Sequence, residues 1–391
     1  MLKEELPYAL RQLVSAAADV ATDVLAPAAE AVDEKAVWPR HAFDALAKAR
    51  LMGLHVPERL GGRGQGLLAL SLITEELGAR CSSSAICYGM HCVASKVIEV
   101  KASAAQEERY LSPVAQGSHI CSLALSEPGT GSHFYLPQLT FTPAEGDFVL
   151  DGTKSFVTSG GQADSYVMSA VAPGLEADPG TFSCFIVDGS AAGLEWQEPW
   201  NGFGMRGNSS RSVKLNNVTV PAQNLLGQQG DELWYVFDVI APYFLVAMSG
   251  TYLGIARAAL EATTQHLGTR RHSHAQQPLA NVPALIDDVA EMWIAVTRAR
   301  ELLHYAARLG DAEHAEARAA ILACKIEVAE VAISVTNRAM ALGGGRAYQA
   351  NGRLARLLRD ARAAEVMAPT THMLKSWVGR TVLGLPFFDR L

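Results

Sequence analysis

The chain has 391 residues, enough for two or three domains and a large core, and 49% of them are apolar against 19% charged. That composition excludes a disordered chain. A net charge of −7, from 33 basic and 40 acidic residues, argues against a nucleic-acid partner held by phosphate neutralisation.

Residues 10–30 and 43–51 carry apolar side chains at three- and four-residue spacing, which predicts helices. Pro57 and the cluster Gly61, Gly62, Gly64 and Gly66 break that pattern over 53–66. The cluster follows no strand and matches no phosphate-loop spacing, so it reads as a turn. Helical spacing resumes over 67–78 and 86–100. From about residue 118 the character changes, with short β-rich runs at 148–150, 155–158, 166–168, 182–187 and 213–215. The pairs Asp151-Gly152, Asp188-Gly189 and Asn216-Asn217 read as the turns between them. Strands so short and evenly spaced predict an antiparallel sandwich or barrel. From about 229 long helical patterns return over 232–267, 283–309, 313–342 and 354–382. Pro283 suits a first helical turn, and Gly310 and Gly343 suit C-terminal stops. Short links between such helices describe a four-helix bundle. The predicted fold class is therefore α+β, with an N-terminal helical domain (1–117), a central antiparallel β-sandwich or barrel (118–228) and a C-terminal four-helix bundle (229–391).

No apolar run of roughly 18 residues marks a membrane span, and the first ten residues lack the apolar core of a signal peptide. Six cysteines with no CxxC pair read as reduced thiols. The expectation is a cytoplasmic protein. His272 and His274 lack further ligands at defined spacing, so no metal site is assigned.

The informative stretch is Cys121 to Phe134, CSLALSEPGTGSHF. A strand-like run ends in Ser126-Glu127-Pro128, followed by Gly129, Thr130, Gly131 and Ser132. Small residues let the backbone approach a ligand closely, and hydroxyls with free amides offer hydrogen bonds to phosphate or to a polar ring. Some 25 residues on, Phe156 and Thr158 alternate on a strand that ends at Gly160-Gly161 and could face one flat ligand. Taken alone, each segment is a strand with a turn.

Together they resemble the acyl-CoA dehydrogenase family, and the likeness runs the length of the chain. Gly53 to Gly62 (GLHVPERLGG) is similar to its G-x-x-x-P-E-x-x-G-G segment, and Glu75-Glu76-Leu77-Gly78 to the next helix. Ser126 to Ser132 resembles T-E-P-x-x-G-S, and Gly152 to Gly161 resembles G-x-K-x-x-I-T-N-G. Gly204-Met205-Arg206-Gly207 and the later VTVPAQNLLG continue the series, as do Leu342-Gly343-Gly344 and Arg359-Asp360-Ala361. The resemblance implies FAD held between the β domain and the bundle of a homo-oligomer, a dimer or tetramer. Leu125 and Ser126 would then meet the flavin ring, Gly131 and Ser132 the pyrophosphate or substrate side, and Phe156 and Thr158 the isoalloxazine. Arg271, Gly343 and Gly344 would lie near a neighbouring subunit's FAD, and Thr370 would contact the cofactor. The implied partner is an acyl-CoA or acyl-carrier-protein substrate, with the electron acceptor undetermined.

The family's base is a glutamate in a Y-E-G-T segment soon after R-D-A, or on the first bundle helix in some members. Here those positions carry Ala368 and Phe244, and neither can take a proton. His133 replaces the signature's usual Asp, Met340 the glutamine before L-G-G, and residues 271–278 blur the R-x-x-F-G-x-P segment. Glu365, His372, His91, Asp238 and Tyr243 are alternative candidates, none favoured, so the catalytic base is unassigned. The expected activity is an FAD-dependent redox step on an acyl thioester, such as α,β-dehydrogenation with a non-standard base. The alternatives are a flavin monooxygenase on the same fold and a catalytically silent acyl-thioester-binding subunit.

Overall fold

The computed structural model describes residues 6–174, 182–230, 235–274 and 277–386. The N-terminal part is helical. Tyr8–Val20 and Ala26–Glu34 are joined by the π-helical turn Ala21–Leu25, and Arg40–Lys48, Leu67–Gly78 and Ser82–Lys101 follow. Arg40–Lys48 buries only Ala42, Phe43 and Leu46, a one-sided apolar stripe. Leu67–Gly78 and Ser82–Lys101 are buried nearly all round, so they form the inner layer. The glycine cluster between Arg40–Lys48 and Leu67–Gly78 is a turn. The Gly62 position would put a Cβ 2.0 Å from the Val56 carbonyl oxygen, so only glycine fits there.

Eight strands follow: β1 (Cys121–Ala124), β2 (Thr140–Ala144), β3 (Asp147–Val157), β4 (Ser165–Ala170), β5 (Ser183–Asp188), β6 (Leu194–Trp196), β7 (Arg211–Val220) and β8 (Leu225–Leu226). They form two four-stranded sheets, in the orders β1-β4-β5-β8 and β2-β3-β7-β6. One pair departs from the antiparallel expectation: β1 runs parallel to β4, with Cys121 opposite Ser165. A parallel pair needs a long crossover, and here the chain makes it through β2 and β3 of the other sheet.

Two of the expected turns are strand interior instead. Leu150 pairs with Val218 and Gly152 with Leu215, so Asn216 and Asn217 together stand opposite Asp151. This is a β-bulge. The turn-forming residues serve it directly: Gly152 has φ +141° and Asn217 φ +49°. The Asn217 amide donates to the Asp151 carboxylate at 3.3 Å.

The C-terminal part contains Ala241–Thr269, Pro283–Asp311 and Ala317–Ala347, then Arg353–Ala361, Ala363–Val366 and Thr371–Val382. The single helix expected over 354–382 is thus three pieces. Pro369 lacks an amide hydrogen and fixes φ, so no helix continues through it. The helix Leu67–Gly78 packs into this bundle from the N-terminal part. A Cβ at Gly254 would lie 2.4 Å from the Glu75 carbonyl oxygen, and one at Gly78 2.5 Å from that of Thr251. The two helices therefore cross backbone to backbone. The helical stretch Tyr235–Thr269 is long and apolar enough to cross a membrane, with mean hydropathy 1.6 in its most apolar window, but 83% of that window is buried inside the fold. It is the core helix of the bundle.

Candidate cofactor and substrate site

A cleft of about 680 Å³ opens where the loop after β1, the end of β3 and the loop 200–210 meet bundle residues near 240–244 and 359–369. The loop after β1 is fixed from behind. Lys154, on β3, lies with its Nζ 2.5 Å from Glu127 Oε1 and also donates to the Leu125 carbonyl (3.3 Å) and Ser169 Oγ (3.0 Å). Glu127 also accepts from the amides of Gln138 (2.6 Å) and Leu139 (3.1 and 3.2 Å). Both side chains are essentially inaccessible, at 0% and 2%. Burial lowers the Lys154 pKa and the Glu127 charge opposes that fall. Such a pair is tolerable only because every charged atom is hydrogen-bonded.

The face turned to the cleft is open and offers unused donors. A Cβ at Gly131, where φ is +54°, would meet nothing within 4 Å. Phe156 has φ +55°, rare for a bulky residue, at a register shift between Lys154 and Val157. That shift leaves its ring 67% exposed in the cleft, edge-on to Trp200 with centroids 6.4 Å apart. Trp200 Nε1 is buried without a partner among the described residues. The hydroxyls of Ser126, Ser132 and Thr158 line the cleft and make no hydrogen bond among the described residues. The Thr158 backbone is anchored, its carbonyl accepting from Ser122 Oγ at 2.7 Å. Two aromatic rings, unused donors and an open glycine loop suit a flat heteroaromatic ring with polar edges and a phosphate-bearing tail. The residues present fit FAD.

Of the ten site residues expected from the sequence, Leu125, Ser126, Gly131, Ser132, Phe156 and Thr158 line this cleft and the other four do not. Arg271 lies in the loop after Ala241–Thr269, bridged to Pro278. Gly343 and Gly344 are near the end of Ala317–Ala347, where Gly344 has φ +58° and breaks the helical geometry. Thr370 caps Thr371–Val382, its hydroxyl accepting from the Met373 amide at 3.4 Å.

Sequence reasoning missed Met90, Trp200, Phe203, Asn208, Arg362 and Met367, all of which line the cleft. Trp200 and Phe203 stand just before Gly204-Met205-Arg206-Gly207, and that proximity was the one signal available. Arg359-Asp360 has a positioning part instead. Arg359 pairs with Asp33 through both terminal nitrogens and donates to the Phe203 carbonyl at 3.2 Å. Asp360 accepts from the Met205 amide at 2.6 Å and from the Ser82 hydroxyl. Burial pushes its pKa up against those hydrogen bonds.

Ala368 and Phe244 both line the cleft, and Glu127 is the sole carboxylate among its described lining residues. None of the five alternative base candidates lines it. His91 is buried, its Nε2 3.0 Å from the Met52 carbonyl and its Nδ1 accepting from the Cys121 amide at 3.2 Å. Burial lowers its pKa to about 4, so the ring is neutral at pH 7. Glu365 lies 3.8 Å from Arg362, Asp238 pairs with Arg318 at 2.8 Å, and His372 is exposed. Tyr243 packs edge-on to His55 at 4.8 Å, and burial pushes its phenol up.

A cleft that fits a flavin, between a two-sheet β domain and a helical bundle, defines a flavin-dependent oxidoreductase. The chain belongs to the acyl-CoA dehydrogenase family, whose N-terminal, middle and C-terminal domains match residues 9–118, 122–218 and 245–383. It is 31% identical over 367 residues to cyclohex-1-ene-1-carbonyl-CoA dehydrogenase of Geobacter metallireducens, covering 93% of this chain and 95% of that protein. It is 28% identical over 363 residues to acryloyl-CoA reductase (NADH) of Anaerotignum propionicum, covering 92% and 90%. In fold it matches butyryl-CoA dehydrogenase from Megasphaera elsdenii, with a TM-score of 0.91 at 24% identity over 97% of this chain and 99% of that one. The chain is an oxidoreductase acting on CH–CH groups, and its cofactor is FAD.

Proposed function

We propose that this protein oxidises or reduces the α,β-carbons of an acyl thioester borne by CoA or a carrier protein, without a carboxylate at the family's base positions. Support comes from one cleft that combines flavin-suited donors with an apolar wall at Phe244, Met367 and Ala368. The relatives above are named for acyl-CoA substrates. When bound, FAD supplies the two-electron exchange. Ser126, Ser132 and Thr158 would hydrogen-bond it, Leu125 and Phe156 would pack on its ring, and Gly131 would let its tail approach the backbone. The wall excludes water from the acyl end. Thr370, two residues after Ala368, accepts from the Met373 amide with its hydroxyl oxygen, and its hydroxyl hydrogen would be left to donate to the cofactor.

We read residues 1–117, 118–228 and 229–391 as the three units of a cytoplasmic homo-oligomer, a dimer or tetramer. Exposed Val282, Ile286, Trp293 and Ile294 on and beside Pro283–Asp311 support self-association. In such an assembly Arg271, Gly343 and Gly344 would approach a neighbour's FAD. Its electron acceptor would be a separate redox protein.

The test is anaerobic stopped-flow bleaching of the flavin by saturated acyl-CoAs of varied chain length, with reoxidation of reduced protein by the matching enoyl-CoAs. Failure of every thioester in both directions would sink the reading. The lack of a free carboxylate among the described residues of the cleft also favours a second reading, oxygen-dependent hydroxylation. Turnover driven by NAD(P)H and a flavin reductase, with no thioester needed, would establish it instead.

A further inference from the structure

Lys325 lies in the first third of Ala317–Ala347 with its side chain fully buried. Its Nζ donates to the carbonyl oxygens of Ala364 at 2.8 Å and Pro369 at 3.2 Å. These two acceptors bracket residues 365–368, of which Val366, Met367 and Ala368 line the cleft. Within the bracketed segment the Glu365 amide donates to the Arg362 carbonyl at 3.4 Å and the Met367 amide to the Ala363 carbonyl at 3.0 Å, so its own ties all run back to residues 362–363. The short helix Ala363–Val366 ends there, and Pro369 has no amide to donate. A second tie is weaker in kind, the Tyr252 hydroxyl meeting Met367 Sδ at 2.9 Å.

Among the described residues no carboxylate lies within ion-pair distance of Lys325, and Glu365 acts on it only through space. Burial accordingly brings its pKa down to about 8. A buried ammonium without an ionic partner disfavours the folded state, whereas a methionine of similar length would not. What the lysine supplies in exchange is the fixed placement of two carbonyls on either side of the cleft wall.

We infer that Lys325 is a positioning residue that clamps residues 364–369 and so sets the wall that Met367 and Ala368 present to the acyl end of the cleft. The inference deepens the proposed acyl-thioester chemistry and rests on it. Lys325 is not among the residues that line the cleft. It acts through the backbone it holds.

The test compares wild-type and Lys325→Met holoenzymes by amide hydrogen exchange, thermal melting, FAD affinity and flavin bleaching by acyl-CoA. The expected result has three parts. Lys325→Met melts at or above the wild-type temperature, and exchange of the Val366 to Ala368 amides accelerates roughly tenfold or more with the rest of the chain unchanged. FAD affinity stays within about threefold while bleaching slows roughly tenfold or more. In Lys325→Ala, added ethylammonium restores protection of the same amides. A variant that fails to fold, or melts lower with exchange raised throughout, would make Lys325 a stabilising residue and overturn the inference. Unchanged local exchange would overturn it too. If no acyl thioester bleaches the wild type, the functional reading falls, and the exchange, melting and rescue results still decide the clamp.

Discussion

The Lys154 ammonium and the Glu127 carboxylate meet at 2.5 Å, wholly buried behind the loop that carries Ser126 and Ser132. The pair joins β3 to the loop after β1 and leaves neither carboxylate oxygen facing the cleft unpaired. Removing one partner strands the other charge in the interior, at a cost of about 3–5 kcal/mol. Glu127→Ala and Lys154→Met should each lower stability by that order in urea titration and weaken FAD retention. The double variant Glu127→Leu/Lys154→Met should recover much of the stability, because no lone charge remains. A double variant as unstable as the sum of the singles would show that the hydrogen bonds to Gln138 and Leu139 matter more than the charge pairing.

Ser126→Ala, Ser132→Ala and Thr158→Ala each remove one hydroxyl from the cleft. A single hydrogen bond is worth about 1 kcal/mol, so FAD should bind about fivefold more weakly in each. Fluorescence titration of apoprotein with FAD reads this directly. Unaltered affinity in all three would displace the cofactor from this part of the cleft.

Ala368→Glu restores a carboxylate where the family keeps its base. General-base assistance is typically worth about 10²- to 10⁴-fold, so wild-type flavin should bleach slowly with saturated acyl-CoAs and the variant faster. The gain should be partial, because Pro369 fixes the backbone next to the new side chain. Fast bleaching by the wild type would mean that a proton acceptor other than these side chains is in place.

Two buried histidines predict acid sensitivity. Burial lowers His55 to about 3 and His91 to about 4, against 6.5 when exposed. Between those values the unfolded chain binds protons that the folded chain refuses, so stability is fully present above pH 6.5 and is lost as pH falls towards 4. By pH 5 each should have cost about 2 kcal/mol. Urea midpoints measured at pH 7, 6 and 5 should fall in that order, and His91→Gln should flatten the profile. An equal slope in His91→Gln would remove His91 as its source.

Local pattern made the helices and most strands legible, and the glycine and hydroxyl segments pointed to six of the residues that line the cleft. What stayed hidden depends on pairing at a distance. Asp151-Gly152 and Asn216-Asn217 carry turn chemistry, but a bulge uses the same φ values, and only the β3–β7 register distinguishes the two. Lys154 reaches Glu127, and Lys325 the carbonyl of Pro369, from elements whose facing sides no local pattern records. Trp200 and Phe203 come from a loop whose position is set by Asp360 and Arg359, more than 150 residues away.

The contact between Asp33 and Arg359 has a consequence for synthesis on the ribosome. Asp33 emerges early and waits for an arginine translated 326 positions later. Leu67–Gly78 waits likewise for the backbone of Gly254, against which it closes. At roughly 5–20 residues per second, the gap between Asp33 and Arg359 is tens of seconds during which apolar helices of the first third lack their cover. Over that interval the faces of the early helices that the bundle later covers stay exposed to solvent and to other nascent chains. A slowly translated message, or one truncated before codon 359, should yield aggregate rather than a folded fragment.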